Sequence, residues 1–121
     1  MPTSDSAVSI HPYFKISDDK LEEARAMCEK FVAQTANEPG CLHYGFSFSD
    51  NDAFCRETYA NAEGLLAHLD NVGTLLGEFL ESYATLERLE IHGAKVELDK
   101  LREPLAHLSP KFFILECGFR N

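Results

Sequence analysis

The sequence predicts an α+β domain with the element order β-α-β-β-α-β, the ferredoxin-like arrangement, followed by one extra C-terminal strand. Three observations predict this class. Apolar residues recur at every second position in two segments, 8–16 and 41–59. Stripes of helical spacing follow each of these segments, and the chain ends on a further apolar segment. Because 121 residues are the length of one ordinary core, we expect a single domain over residues 1–121.

The first strand is predicted at residues 8–16. Its apolar face is formed by Val8, Ile10, Phe14 and Ile16. Pro12 has no backbone N–H group to donate to a neighbouring strand. This part of the strand is therefore expected at a sheet edge or beside a bulge.

A first helix is predicted before the Asn-Glu-Pro-Gly sequence at 37–40, which ends it. Residues 17–19 supply a cap with acidic side chains at the positive end of the helix dipole. Asp19 and Glu22 have the spacing of a capping box. The apolar stripe consists of Leu21, Ala24, Met27, Cys28, Phe31 and Val32.

A β-hairpin is predicted over residues 41–59, with the polar residues at 49–52 as its turn. The larger side chains of its first strand share one face and are Leu42, Tyr44, Phe46 and Phe48. One face of its second strand is formed by Cys55, Glu57 and Tyr59.

A second helical region is predicted after Asn61, which suits an N-cap. Its first apolar stripe consists of Leu65, Leu66, Leu69 and Val72. Asp70, Asn71 and Gly73 interrupt the stripe before it resumes at 75–83. This pattern predicts two short helices or one kinked helix.

The C-terminal part is predicted to add a half-exposed strand at 85–92, a helical segment at 96–108 and a final strand at 112–119. The final strand is apolar except for Glu116 and Gly118, which predicts that both of its faces are covered.

The predicted sheet has one face without helices, and large apolar side chains on such a face need a cover. Tyr44, Phe46 and Phe48, together with the final strand, are expected there. A second copy of the chain is the predicted cover, so we expect a homodimer.

Charge disfavours two classes of partner. The chain has 11 basic and 20 acidic residues, a net charge of −9, and its basic residues form no cluster. Binding to nucleic acid or to an anionic membrane needs a basic patch, so neither partner is predicted. The N-terminal residues have no basic and apolar leader, and a cytoplasmic location is expected.

The cysteines and glycines carry no cofactor motif. The four cysteines form no C-x-x-C pair and are predicted to be buried free thiols; they are Cys28, Cys41, Cys55 and Cys117. The glycines form no phosphate-binding loop, so no nucleotide or flavin cofactor is predicted.

Three short motifs, in this order, resemble the antibiotic biosynthesis monooxygenase (ABM) family. They are Glu38-Pro39-Gly40-Cys41-Leu42-His43-Tyr44, Glu57-Thr58-Tyr59 and Leu65-Leu66-Ala67-His68-Leu69. The resemblance implies a dimeric α+β barrel, in which two sheets pack face to face. The family includes cofactor-independent oxygenases of polyphenols and quinols, and haem-degrading enzymes. The haem-degrading members use a tryptophan and a first-strand asparagine, and this chain has no tryptophan and no asparagine at 8–16.

His68 is the predicted catalytic base. It shares the apolar face of the second helical region with Leu65 and Val72, and a histidine exchanges its proton near neutral pH. Glu57 is the second predicted catalytic residue, placed to orient His68 or to accept a substrate hydroxyl. The structural alternative for His68 is a histidine at the helix surface or hydrogen-bonded in the core. The alternative for Glu57 is a structural ion pair or a solvent-facing strand glutamate.

Tyr44, Tyr59 and His11 are predicted to bind substrate, and strand tyrosines that only fill the core are the alternative. His11, His43 and His92 have no short ligand spacing, so no metal site is predicted.

Together these features predict a cofactor-independent monooxygenase of a small aromatic or quinol-like substrate. The alternative is a non-catalytic dimer of the same fold that binds a small apolar ligand or serves a stress-related role. A cavity shared by His68, Glu57 and a tyrosine distinguishes the two, because a mere ligand-binding pocket needs no converging polar groups.

Overall fold

The computed structural model describes residues 5–121, and its five-stranded sheet confirms the predicted element order. Residues 1–4, which belong to the stretch used for the location prediction, lie outside the described residues. The helices and strands are β1 (Val8–Ile16), α1 (Leu21–Thr35), β2 (Cys41–Ser49), β3 (Asp52–Tyr59), α2 (Ala62–Ser82), β4 (Ala84–Gly93), α3 (Lys95–Asp99) and β5 (Lys111–Ile114).

The strand order in the sheet is β2-β3-β1-β4-β5, so β1 lies at its centre. Neighbouring strands are antiparallel except β4 and β5, which are parallel. The pairing of β1 with β4 shifts between Tyr13 and Phe14, directly after Pro12. Pro12 therefore lies beside a bulge in a central strand, and the alternative of an edge strand is wrong.

Two clusters of buried side chains join the sheet to the helices on one side. The first unites Val8 and Ile10 of β1 with Leu65 of α2 and with leucines that follow β4. The second unites Phe14 of β1 with side chains from both α1 and α2. Within residues 5–121, no helix lies on the other side of the sheet, which is called the open face below.

The helix boundaries correct two predictions. Residues 62–82 form one helix of 21 residues rather than two short ones, because Asp70, Asn71 and Gly73 lie on its exposed side and leave the buried stripe intact. At the start of α1 the predicted capping box is absent: Asp18–Lys20 form a 3-10 turn first. The predicted cap at Asn61 is confirmed, since its side chain accepts the backbone N–H of Gly64 at 2.8 Å.

The aromatic residues of β2 lie on the opposite side of the sheet from the predicted one. Phe46 contacts Phe31 of α1 with ring centroids 5.7 Å apart, and Tyr44 and Phe48 pack against the same helix-covered cluster. A bulge between Cys41 and His43 turns Leu42 to solvent. These aromatic residues therefore do not support the predicted homodimer.

A different set of rings occupies the open face, and we call it the aromatic strip. Its members are Phe54 on β3, His11 and Tyr13 on β1, His92 on β4 and Phe113 on β5. Successive rings contact one another across four strands, with centroids 4.7–5.9 Å apart.

The final strand is shorter than predicted. Only Lys111–Ile114 pair with β4, because β4 ends at Gly93 and offers no further backbone partner. Residues 116–121 are exposed, so the prediction of a strand covered on both faces is wrong. All four cysteines are free, as predicted, but the prediction that all are buried is wrong: Cys28 and Cys55 are buried, Cys41 is half-buried and Cys117 is exposed.

Within residues 5–121, no helix combines the length and the apolar character that a membrane span requires. The same part of the chain contains no group of three or more side chains placed to hold a metal ion.

Candidate active site

A narrow cavity lies between the helix-covered face of the sheet and α2. Its volume is about 50 Å³, enough for a few water molecules at roughly 10–15 Å³ each. Most of its lining is leucine and phenylalanine. Its polar lining is confined to Tyr44, Cys55, Glu57 and His68.

Local structure explains how these polar groups meet. Alternation along β3 turns Cys55, Glu57 and Tyr59 toward the helices. His68 lies one helical turn after Leu65 and one before Val72, so it belongs to the buried stripe of α2. Both catalytic candidates are almost completely enclosed, with 6% of Glu57 and 2% of His68 exposed.

His68 lies between two carboxyl groups. Its Nδ1 atom is 2.9 Å and 3.1 Å from the two carboxyl oxygens of Glu38, and its Nε2 atom is 3.4 Å from Oε1 of Glu57. A carboxylate only accepts hydrogen bonds, so the Nδ1–H group donates to Glu38. In the neutral imidazole the unprotonated Nε2 atom then faces Glu57.

Glu38 is held in place by its own neighbours. The side-chain amide of Asn71 on α2 donates to Oε2 of Glu38 at 2.7 Å. The loop that carries Glu38 also approaches α2 closely: a Cβ on Gly40 would lie 3.2 Å from the Cα of Gly64. Glycine at these two positions therefore lets the loop bring its carboxylate to His68.

Glu57 is a buried carboxyl with an unusual affinity for its proton. Burial raises the pKa of Glu57 to about 7, and the charge of Glu38 adds to the rise. Hydrogen bonds from the Tyr59 hydroxyl, at 2.6 Å, and from the Cys55 thiol act in the opposite direction. Near neutral pH this group is present both as an acid and as a base.

Burial shifts the pKa of His68 the other way. The pKa of His68 lies below its usual value because of burial, although the hydrogen bond to Glu38 opposes the shift. The imidazole is thus neutral near pH 7 and able to accept a proton at Nε2. Burial also raises the pKa of Tyr44, which keeps its hydroxyl protonated.

The predicted site residues are brought together in part. Glu57, His68 and Tyr44 line the one cavity, and the Tyr44 ring lies 5.2 Å from the His68 ring. Tyr59 is fully buried and hydrogen-bonded to Glu57, so it supports the cavity from behind. His11 lies on the open face, against Ser9 and the aromatic strip, and is not brought to the cavity.

Glu38 and Cys55 are site residues that the sequence does not predict. Glu38 is the first residue of one of the three short motifs, and its contact with His68 joins residues 30 positions apart. Cys55 shares the inward face of β3 with Glu57, so alternation alone was enough to place it beside the site. Thr35 adds a buried hydroxyl beside Tyr44, with no hydrogen-bond partner of ordinary geometry.

Comparison with solved structures places this geometry among known folds. MupZ from Pseudomonas fluorescens is 44% identical, with a TM-score of 0.94, and the match covers all of this chain and 94% of MupZ. A "putative antibiotic biosynthesis monooxygenase" from Caulobacter crescentus is 22% identical, with a TM-score of 0.58. The match covers 72% of this chain and 88% of the Caulobacter chain.

A third structure, a Bacteroides thetaiotaomicron protein described as a "possible oxidoreductase", is 24% identical with a TM-score of 0.64. That match covers 73% of this chain and 97% of the other. No family model and no curated protein matches the chain.

The fold and the cavity define a class of small ferredoxin-like α+β proteins with acid–base groups enclosed between sheet and helix. Within that class, the chain belongs to the same family as MupZ and shares the fold of proteins described as putative antibiotic biosynthesis monooxygenases.

The raised pKa of Glu57 predicts how stability depends on pH. The folded chain holds this proton more tightly than the unfolded chain, whose carboxyl has a pKa near 4.5. The contribution of Glu57 is therefore fully present below pH 4.5 and is lost as the pH rises through 7. We expect the free energy of unfolding to fall by about 3 kcal/mol more in the wild type than in Glu57→Gln over this window.

Urea unfolding from pH 4.5 to pH 8 measures this difference. Glu103→Gln, at an exposed position, is the matched control and is expected to follow the wild type. Parallel pH profiles for the wild type and Glu57→Gln would contradict a raised pKa.

Proposed function

We propose that this protein is a cofactor-independent monooxygenase of a small aromatic or quinol-like substrate. The observation that carries the proposal is the pair formed by Nε2 of His68 and the Glu57 carboxyl, 3.4 Å apart at the polar end of an apolar cavity. The fold shared with a "putative antibiotic biosynthesis monooxygenase" and a "possible oxidoreductase" supports oxidation as the reaction type. We place the activity in one domain spanning residues 1–121 of a cytoplasmic protein.

The first step is removal of a proton from the substrate. A substrate hydroxyl at the polar end of the cavity gives its proton to Nε2 of His68, and Glu38 stabilises the imidazolium that forms. The apolar walls exclude water, so the substrate anion is poorly solvated and readily gives an electron to oxygen. A quinol is larger than the cavity of about 50 Å³, so it binds only when the side chains around the cavity move apart. The Tyr44 ring, which lies against His68, then contacts the ring of the substrate.

The oxidation balances without an external reductant. A quinol and one O₂ give a hydroxyquinone and one water: one oxygen atom bonds to a ring carbon, and the other leaves as water with two hydrogens from the substrate. The substrate supplies all four electrons. Glu57, with a pKa of about 7, provides a proton for the departing oxygen and takes it back from His68.

A second candidate is an acid–base reaction that consumes no oxygen, such as an isomerisation or an addition. The observation that favours it is that the site presents a neutral base and a protonated carboxyl together, which suffices for proton transfer at two positions of a substrate. The non-catalytic alternative is disfavoured, because His68, Glu57 and Tyr44 converge on the cavity.

Oxygen uptake with a panel of hydroquinones tests the proposal. We expect protein freed of flavin, haem and metal to consume oxygen, and His68→Ala to lower the rate by about 100-fold or more, as for the loss of a general base. His107→Ala, at an exposed histidine, is the control and should leave the rate unchanged.

The same panel under argon separates the two candidates. Product formation that needs oxygen supports the monooxygenase, whereas equal turnover without oxygen supports the acid–base reaction. If no substrate is consumed in air or under argon, or if His68→Ala reacts at the wild-type rate, both proposals are wrong.

We also propose that two copies of the chain pack together through the open face. The aromatic strip supports this, because it places five contacting rings on a face that no helix covers. A second copy would present the same strip, so the contact is self-complementary.

Light scattering at micromolar concentration is expected to give twice the chain mass of 13.6 kDa. Phe54→Glu introduces a charge into the strip and should yield a monomer, whereas Val96→Glu, at a side chain on α3 that is 65% exposed, should remain a dimer. A monomeric wild type would exclude this interface.

A further inference from the structure

The cavity has its polar groups at one end only. They lie on β2, β3 and the first half of α2, whereas its apolar lining continues past β1 to Leu86 and Leu89 on β4. Adjacent strands are roughly 4.8 Å apart, and β4 is two strands from β3 in the sheet. The lining thus reaches about 10 Å from the acid–base pair, and all of it beyond the polar end is apolar.

Leu108 lines the cavity, and it belongs to a segment outside the ferredoxin-like core. The 86 residues of β1 to β4, Val8–Gly93, are 71% of the 121-residue chain. The Caulobacter and Bacteroides structures cover 72% and 73% of this chain while matching most of their own length. MupZ covers all of it. The wall at Leu108 is therefore an addition to the shared core.

The added segment is firmly anchored, so Leu108 has a fixed position. Leu98, Leu101 and Leu105 are buried against the first core cluster. The buried carboxyl of Glu97 accepts the backbone N–H of Ala62 at 2.9 Å, at the start of α2. These contacts hold the segment against β1, β4 and α2, which are elements that line the cavity.

Resting on the proposed function, which puts the reacting hydroxyl beside His68, we propose that the substrate carries an apolar chain that runs toward β4, and that Leu108 limits the length of this chain. A cavity this narrow suits a single flexible chain better than a fused ring system. Leu108 is thus a specificity-determining residue, and it contacts the end of the substrate away from the reacting atoms.

Binding of 4-alkylphenols of increasing chain length, measured by calorimetry under argon, tests this proposal without any turnover. In the wild type we expect affinity to rise by about fourfold per methylene until the chain reaches Leu108, and then to stop rising. Leu108→Ala should move this break to chains two or three carbons longer, and Leu108→Phe should move it to shorter chains.

Leu66→Ala is the matched control, because Leu66 packs against the same core cluster as Leu108 without lining the cavity. The break should stay at the wild-type length in this variant. An unchanged break in both Leu108 variants, an equal movement in Leu66→Ala, or no binding of any alkylphenol would overturn the proposal. Loss of turnover on its own bears on the proposed reaction and leaves this result standing.

Discussion

The hydrogen bond from Nδ1 of His68 to the Glu38 carboxylate determines what the cavity can do. It joins the loop after α1 to the middle of α2, and Asn71 and the close approach of Gly40 to Gly64 hold the loop there. With its proton on Nδ1, the imidazole directs an unprotonated Nε2 atom at Glu57. Without this contact, nothing would determine which ring nitrogen of the buried histidine carries the proton and which one faces the cavity as a base.

Burial acts on the two catalytic candidates in opposite directions. It raises the pKa of Glu57 toward 7 and lowers that of His68, so that a carboxylic acid and a neutral imidazole coexist near neutral pH. The same apolar walls that produce these shifts line the space in which the proposed substrate binds. The two pKa shifts and the apolar surface offered to the proposed substrate therefore have one physical cause. This cause is the exclusion of water from the space between sheet and helices.

The sequence predicted most of the fold, because alternation and helical spacing are local signals. It could not predict which side of the sheet the helices cover: alternation groups Tyr44 with Phe46, but only tertiary packing puts that group under α1. The predicted length of the final strand is wrong for a related reason, since a strand ends where its partner ends.

The candidate site was predicted to a similar extent. His68, Glu57 and Tyr44 stand out by residue type and by their position on a buried face, and the structure brings all three to the cavity. Glu38 lies in a loop, where no periodicity reports on the direction of a side chain. Its role depends on a contact across 30 residues, which a local pattern does not encode.

Nitrogen-15 NMR of the His68 ring tests the central claim most directly, because the two ring nitrogens report separately on their protons. Near pH 7 we expect a neutral His68 with its proton on Nδ1 in the wild type, and a shift toward the Nε2-protonated form in Glu38→Gln, with the exposed His107 unchanged in both. A wild-type His68 that carries its proton on Nε2, or identical spectra in the two proteins, would contradict the account.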